Sequence, residues 1–223
     1  ISANLSKTGT ADGLFTLKAD RSVVLGADKT IGLGGGDGKL DVILNANAAD
    51  NGAGKILLNA GSSIVTNGGN LVMGGGTCST STWSCTGAAT GLPDIYGWRE
   101  GIFLGDPNSL SSALVTLDTS SAGQGGSIWM KGQGWKDNYG SAHGIYSGNA
   151  TITTGGGNVT LIGRGGYGVE VSDNYGVYLD SGTSVFTNGG ALNITGMGGS
   201  GDYSSYNYGI YTYGATLDTS KSG

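Results

Sequence analysis

Aromatic rings set among carboxylates and amides are the residues of this chain best suited to chemistry, and four loops carry them. They read Asp94-Ile-Tyr96-Gly-Trp98-Arg-Glu100, Trp135-Lys-Asp137-Asn-Tyr139-Gly-Ser-Ala-His143, Tyr167-Gly-Val-Glu170-Val-Ser-Asp173-Asn-Tyr175 and Asp202-Tyr203-Ser-Ser-Tyr206-Asn-Tyr208. Rings of this kind stack on the apolar face of a pyranose, while carboxylates and amides take its hydroxyls. The candidate ligand-binding residues are Tyr96, Trp98, Trp135, Asp137, Tyr139, Tyr167, Asp173, Tyr175, Tyr203, Tyr206 and Tyr208. The competing reading is that tyrosines in glycine-rich loops fold back and cover the fold. Catalysis has less behind it. A polysaccharide hydrolase needs two carboxylates flanking one bond, and a lyase needs clustered Asp with Arg or Lys. The acids here are scattered along the loops, and Glu170 with Asp173 has only Arg164 as an obvious basic neighbour. No catalytic residue is expected, and a polysaccharide lyase or hydrolase stands as an alternative.

The two cysteines, Cys78 and Cys85, sit in one Ser/Thr-rich loop. A disulfide stapling a surface excursion is expected, and with it an oxidising compartment. A zinc pair is the rival, but zinc would need two more ligands and the only histidine, His143, is far off in sequence. No metal and no cofactor is expected. Gly163-Arg-Gly-Gly-Tyr-Gly168 fits a dinucleotide fingerprint, but no helix is expected to follow it. Asn-x-Ser/Thr triplets occur at Asn4, Asn149, Asn158 and Asn193. Asn149, Asn158 and Asn193 are noted as glycosylation candidates, with chance occurrence in an Asn/Ser/Thr-rich chain as the plainer explanation. An ice-binding face, suggested by Thr151, Thr153 and Thr216, is broken by Phe186 and Asp218.

These loops need a frame, and the composition says what kind. Of 223 residues, 47 are Gly and 2 are Pro, without the three-residue period of collagen. With 37% hydrophobic residues the chain has enough apolar surface to fold, so the glycines read as turns. Net charge is −5 with 11 Lys+Arg, which leaves no basic stripe for nucleic acid. No apolar run approaches the ~20 residues of a membrane helix. Neither a nucleic-acid partner nor membrane insertion is expected.

A repeated phrase supplies the frame. Gly144-Ile-Tyr146 recurs as Gly176-Val-Tyr178 and Gly209-Ile-Tyr211, with a looser copy at Gly101-Ile-Phe103. A second phrase follows each: Ala150-Thr-Ile-Thr-Thr154, Thr183-Ser-Val-Phe-Thr187, Ala215-Thr-Leu-Asp-Thr219. A third follows that: Gly157-Asn-Val-Thr-Leu-Ile162 and Gly190-Ala-Leu-Asn-Ile-Thr195. Three strand-like pieces per copy, roughly 32 residues apart, describe a coiled stack. Gly61-Ser-Ser-Ile-Val-Thr-Asn-Gly-Gly-Asn-Leu-Val-Met73 carries the same pattern into the first half.

The expected fold is all-β, a right-handed parallel β-helix (β-solenoid) of about seven coils with loop excursions. It forms a single domain over 1–223, compact over 1–75 and with longer aromatic-rich loops over 76–223, and reads as cut from a longer chain. Alternation turns Ile145, Val177, Ile210, Ile152, Val185, Leu217, Val159, Leu161, Leu192 and Ile194 inward. It turns Phe103, Tyr146, Tyr178 and Tyr211 outward in one column, either a stiffening aromatic ladder or a stacking surface. Asn158 and Asn193 are expected to face out from corresponding places.

Thr16-Leu-Lys-Ala-Asp-Arg-Ser-Val-Val-Leu25, Gly38-Lys-Leu-Asp-Val-Ile-Leu-Asn-Ala46, Gly54-Lys-Ile-Leu-Leu-Asn-Ala60 and Ile64-Val-Thr-Asn-Gly-Gly-Asn-Leu71 together resemble the coil sequences of filamentous-haemagglutinin-like adhesins. These are large exoproteins exported by two-partner secretion. The resemblance covers most of 14–75 and continues more loosely beyond. It implies a secreted or bacterial cell-surface location, an outer-membrane secretion partner for the full-length protein, and attachment to a host-cell or matrix glycan or receptor, or to a bacterial polysaccharide. An inert shaft of such an adhesin is the alternative. The amino-terminal secretion domain of that family is not evident in this sequence.

Overall fold

The computed structural model describes residues 1–93, 99–105, 113–136, 141–168, 172–201 and 205–221. Among them there is no helix, and the strands, nearly all in parallel pairs, form two sheets. The strands are short because Gly, Asn or Asp ends almost every β-branched or leucine run.

Each tier of the chain visits three places in turn. The first phrase opens strands of one sheet: Val23–Leu25, Ile56–Leu58, Ile102–Leu104, the starts of Ile145–Thr153 and Val177–Phe186, and Ile210–Thr212. The second phrase gives the same sheet Thr30–Leu33, Ser63–Val65, Val115–Asp118, the ends of the two long strands, and Thr216–Asp218. The third builds the other sheet from Gly13–Lys18, Leu40–Asn45, Leu71–Ser79, Ile128–Gln133, Val159–Arg164 and Leu192–Met197.

Parallel register stacks like on like. Ile56, Ile102, Ile145, Val177 and Ile210 are successive partners, as are Ile64, Leu117, Ile152, Val185 and Leu217. In the other sheet Leu71, Ile128, Val159 and Leu192 align. Most of these side chains join one continuous core, and each full burial contributes about 1.5–3 kcal/mol. The alternation read from the sequence holds. At the last tier, however, Ile210 is 45% and Leu217 41% exposed, because no further tier lies on them.

Two corner devices explain the glycines. Buried Thr66, Thr119, Thr154 and Thr187 each donate their hydroxyl to the carbonyl of Gly69, Gly126, Gly157 and Gly190. In the Thr-Asn-Gly-Gly corners Asn67 and Gly68 take φ of 52° and 87°, values that Asn and Gly tolerate. At the opposite corner the end of the third strand meets the start of the first phrase backbone to backbone. A Cβ on Gly163 would overlap the Gly176 carbonyl oxygen, and a Cβ on Gly176 would press on the backbone of Gly209 and Met197, so both the strand end and the start of the phrase are glycine.

Leu71–Ser79 continues past the sheet and turns back antiparallel as Ser84–Gly87, with Cys78 bonded to Cys85. This hairpin covers an outward apolar column of the second sheet. Ile43 and Val72 are buried beneath it, with Trp83 and Trp129 packed alongside.

Candidate functional site

The structure divides the aromatic loops into a stacked wall and an open groove. The wall begins with Phe103, Tyr146, Tyr178 and Tyr211, which register places one above the other. Their ring centroids are 4.9, 5.0 and 5.2 Å apart. A second row lies against this first one: His143, Tyr175 and Tyr208, each three residues before its tyrosine. His143 stacks on Tyr175 at 5.0 Å and Tyr175 on Tyr208 at 5.8 Å. Tyr175 also meets Tyr178 edge-on at 5.3 Å. Of the two readings of this outward column, a stiffening ladder and an exposed stacking surface, the ring contacts show the ladder. Phe103 is buried, and Tyr146 and Tyr178 are half-buried, because outward from the sheet is still inward of this second layer.

The polar groups of the wall serve the wall itself. His143 Nδ1 accepts the Tyr175 backbone N–H at 3.2 Å, which leaves that nitrogen unprotonated. Burial drives the imidazole pKa down to about 4, with Asp173 pulling weakly the other way. The Tyr175 hydroxyl donates to Asp173 Oδ1 at 2.7 Å, and the Tyr146 hydroxyl to Asp180 Oδ2 at 3.2 Å. Burial first, then these carboxylates, hold both phenols protonated well above the ordinary tyrosine range. The same causes push Tyr178 up to about 12. At neutral pH these groups are uncharged and serve as packing.

Of the ligand candidates, Tyr175 is interior and Asp173 is held by Tyr175 and Ser172. Tyr208 ends the second row and Tyr206 lies edge-on to it at 6.5 Å, both exposed. Tyr96, Trp98, Asp137, Tyr139 and Tyr203 lie outside the described residues.

Trp135 and Tyr167 do something different. They line a surface groove of about 550 Å³ with Gln133, Lys136, Arg164 and Ser200, and Gly52 and Thr90 also border it. Register sets its direction, because Gln133 pairs with Arg164 and Arg164 with Met197 in successive tiers. Lys136, Tyr167 and Ser200 each follow their strand by the same three residues, so the groove runs across the tiers. Tyr167 is 41% exposed, and Lys136 Nζ lies 4.7 Å from the centre of its ring. No carboxylate is among the described residues that line it. Lys136, Arg164 and Gln133 were not among the sequence candidates. Aligning Gly132 with Gly163 would have put Gln133 and Arg164 side by side and brought both to notice.

Among the described residues no three of His, Cys, Asp and Glu are placed to hold a metal. Asn158 and Asn193 are both exposed but do not correspond as expected. Register set by the inward Val159 and Leu192 puts Asn193 beside Thr160 and Asn158 beside Ala191, whose N–H the Asn158 side chain accepts at 2.9 Å. Asn149 is half-buried.

No protein-family model, curated protein or solved structure matches the chain.

Proposed function

We propose that the chain is a stretch of right-handed parallel β-helix from a secreted or surface-held bacterial adhesin of the filamentous-haemagglutinin-like kind, and that it attaches through glycan contacts in the Trp135–Tyr167 groove. The observation that carries this reading is the groove itself: an indole and a phenol line one open channel that crosses successive tiers. Rings presented this way suit the apolar faces of successive sugars in an extended chain. The tyrosine wall rigidifies the corner that holds them. The disulfide agrees with an oxidising compartment, and among the described residues no helix is long and apolar enough to cross a membrane. The full-length protein would need an outer-membrane secretion partner, and its ligand would be a host-cell or matrix glycan or a bacterial polysaccharide.

The test is a glycan array with the 223-residue chain and its Trp135→Ala/Tyr167→Ala variant, read beside their melting temperatures. Binding that the variant loses, at a melting temperature within a few degrees of the parent, supports the reading. Absence of glycan binding by the parent, or full retention by the variant, would overturn it in favour of an inert shaft. Release of unsaturated ends from any bound polysaccharide would replace it with a lyase.

A further inference from the structure

We infer that the Trp135–Tyr167 groove selects an acidic polysaccharide, specifically a uronate-bearing chain, over a neutral one. The inference rests on the glycan reading above and adds the charge class of the ligand. The protein as a whole is acidic, with 16 Asp+Glu against 11 Lys+Arg. Among the described residues the groove lining departs from this balance. Its lining holds Lys136 and Arg164, and no carboxylate among the described residues. Arg164 is exposed at the end of its strand, with no described residue pairing its guanidinium. Lys136 Nζ rests over one face of Tyr167, which holds the ammonium at the groove.

Geometry narrows the ligand further. The two cations come from adjacent tiers, since the strand ending at Gln133, three residues before Lys136, pairs with the strand ending at Arg164. Tiers repeat every ~4.8 Å, the spacing of paired strands. Lys136 belongs to the Tyr167–Ser200 column and Arg164 to the Gln133–Met197 column, so the two cations lie diagonally across the groove rather than one above the other, and together they answer one or two acidic groups of a bound chain. The Arg164 fork accepts a carboxylate through two parallel N–H···O bonds, whereas Lys136 acts as a point charge. Ser200 and Gln133, at either side, offer hydrogen bonds to ring hydroxyls.

The experiment measures binding of the 223-residue chain to polygalacturonate, to its methyl-esterified form, to a sulfated galactan and to neutral dextran, at low and moderate salt. The uronate chain is expected to bind at least tenfold more tightly than its methyl ester and than dextran, and to weaken as salt rises. Arg164→Gln and Lys136→Gln are each expected to weaken uronate binding about tenfold without lowering the melting temperature, since both side chains lie at the surface. Equal binding of the ester and the acid, unchanged by salt or by Arg164→Gln, would overturn the charge inference and leave the glycan reading standing. Tighter binding of the sulfated galactan than of polygalacturonate would overturn the uronate assignment. Binding of none of the four would overturn the uronate inference, and the glycan reading would then stand or fall on the array.

Discussion

At the scale of single residues the chemistry of His143 makes a sharp prediction. Its imidazole is buried against Tyr175 and neutral, with a pKa near 4 in the fold and near 6.5 in the unfolded chain. Between those values the unfolded chain binds the extra proton, so stability falls as pH drops from 6.5 toward 4 and is complete above 6.5. The full difference amounts to on the order of 3 kcal/mol. His143→Gln keeps an acceptor for the Tyr175 N–H and removes the titration. Its melting temperature is expected to fall less steeply than the parent's between pH 6.5 and 4.5, and equal slopes would show that His143 is not buried. Tyr175→Phe removes only the hydroxyl that Asp173 accepts, so a loss of about 1 kcal/mol is expected in urea unfolding. The first aromatic row was legible from the Gly-Ile-Tyr spacing. The second was not, because His143, Tyr175 and Tyr208 lie in loops of differing sequence, and only the return of the chain to the sheet brings them together.

At the scale of elements, the disulfide hairpin acts as a cover rather than a simple staple. Ile43, Val72 and Trp129 occupy positions that alternation turns outward, where a parallel sheet would otherwise show an apolar strip to water. The hairpin buries Ile43 and Val72 and partly covers Trp129, and Gly74 leaves room for it, since a Cβ there would press on Cys85 and Trp129. Replacing Cys78 and Cys85 by Ser is expected to cost about 2 kcal/mol from the short closed loop. It should also wet the Trp129 indole. A red shift of tryptophan emission in the folded variant checks this, and unchanged emission would mean the hairpin stays docked without its bond. The pairing of the two cysteines could be read from their isolation in one loop. What the hairpin covers could not, because Ile43, Val72 and Trp129 lie far apart in sequence and only register aligns them. Strands, by contrast, were largely visible, since Gly and Asn bound each one and the pattern repeats.

At the scale of the whole molecule, parallel register makes each tier the floor of the next, so stability is close to a sum over neighbouring tiers. The same side chain should then matter according to its place in the stack. Ile152 and Leu217 stand in one column and make the same kind of inward contact. Ile152 is sandwiched between Leu117 and Val185, whereas Leu217 has Val185 on one side and water on the other. Ile152→Ala opens a cavity between two tiers and is expected to cost about 2–5 kcal/mol. Leu217→Ala in the 223-residue chain removes a half-wetted side chain and is expected to cost about 1 kcal/mol or less. Backbone exchange should report the same gradient, because amides of Thr216–Asp218 have a tier on one side only while those around Ile152 and Leu161 are enclosed. Slow exchange in the central tiers with fast exchange at Thr216–Asp218 is the expected pattern. Uniform protection along the column would mean that the tiers unfold as one unit, and the two alanine substitutions would then differ only by the surface each removes from water.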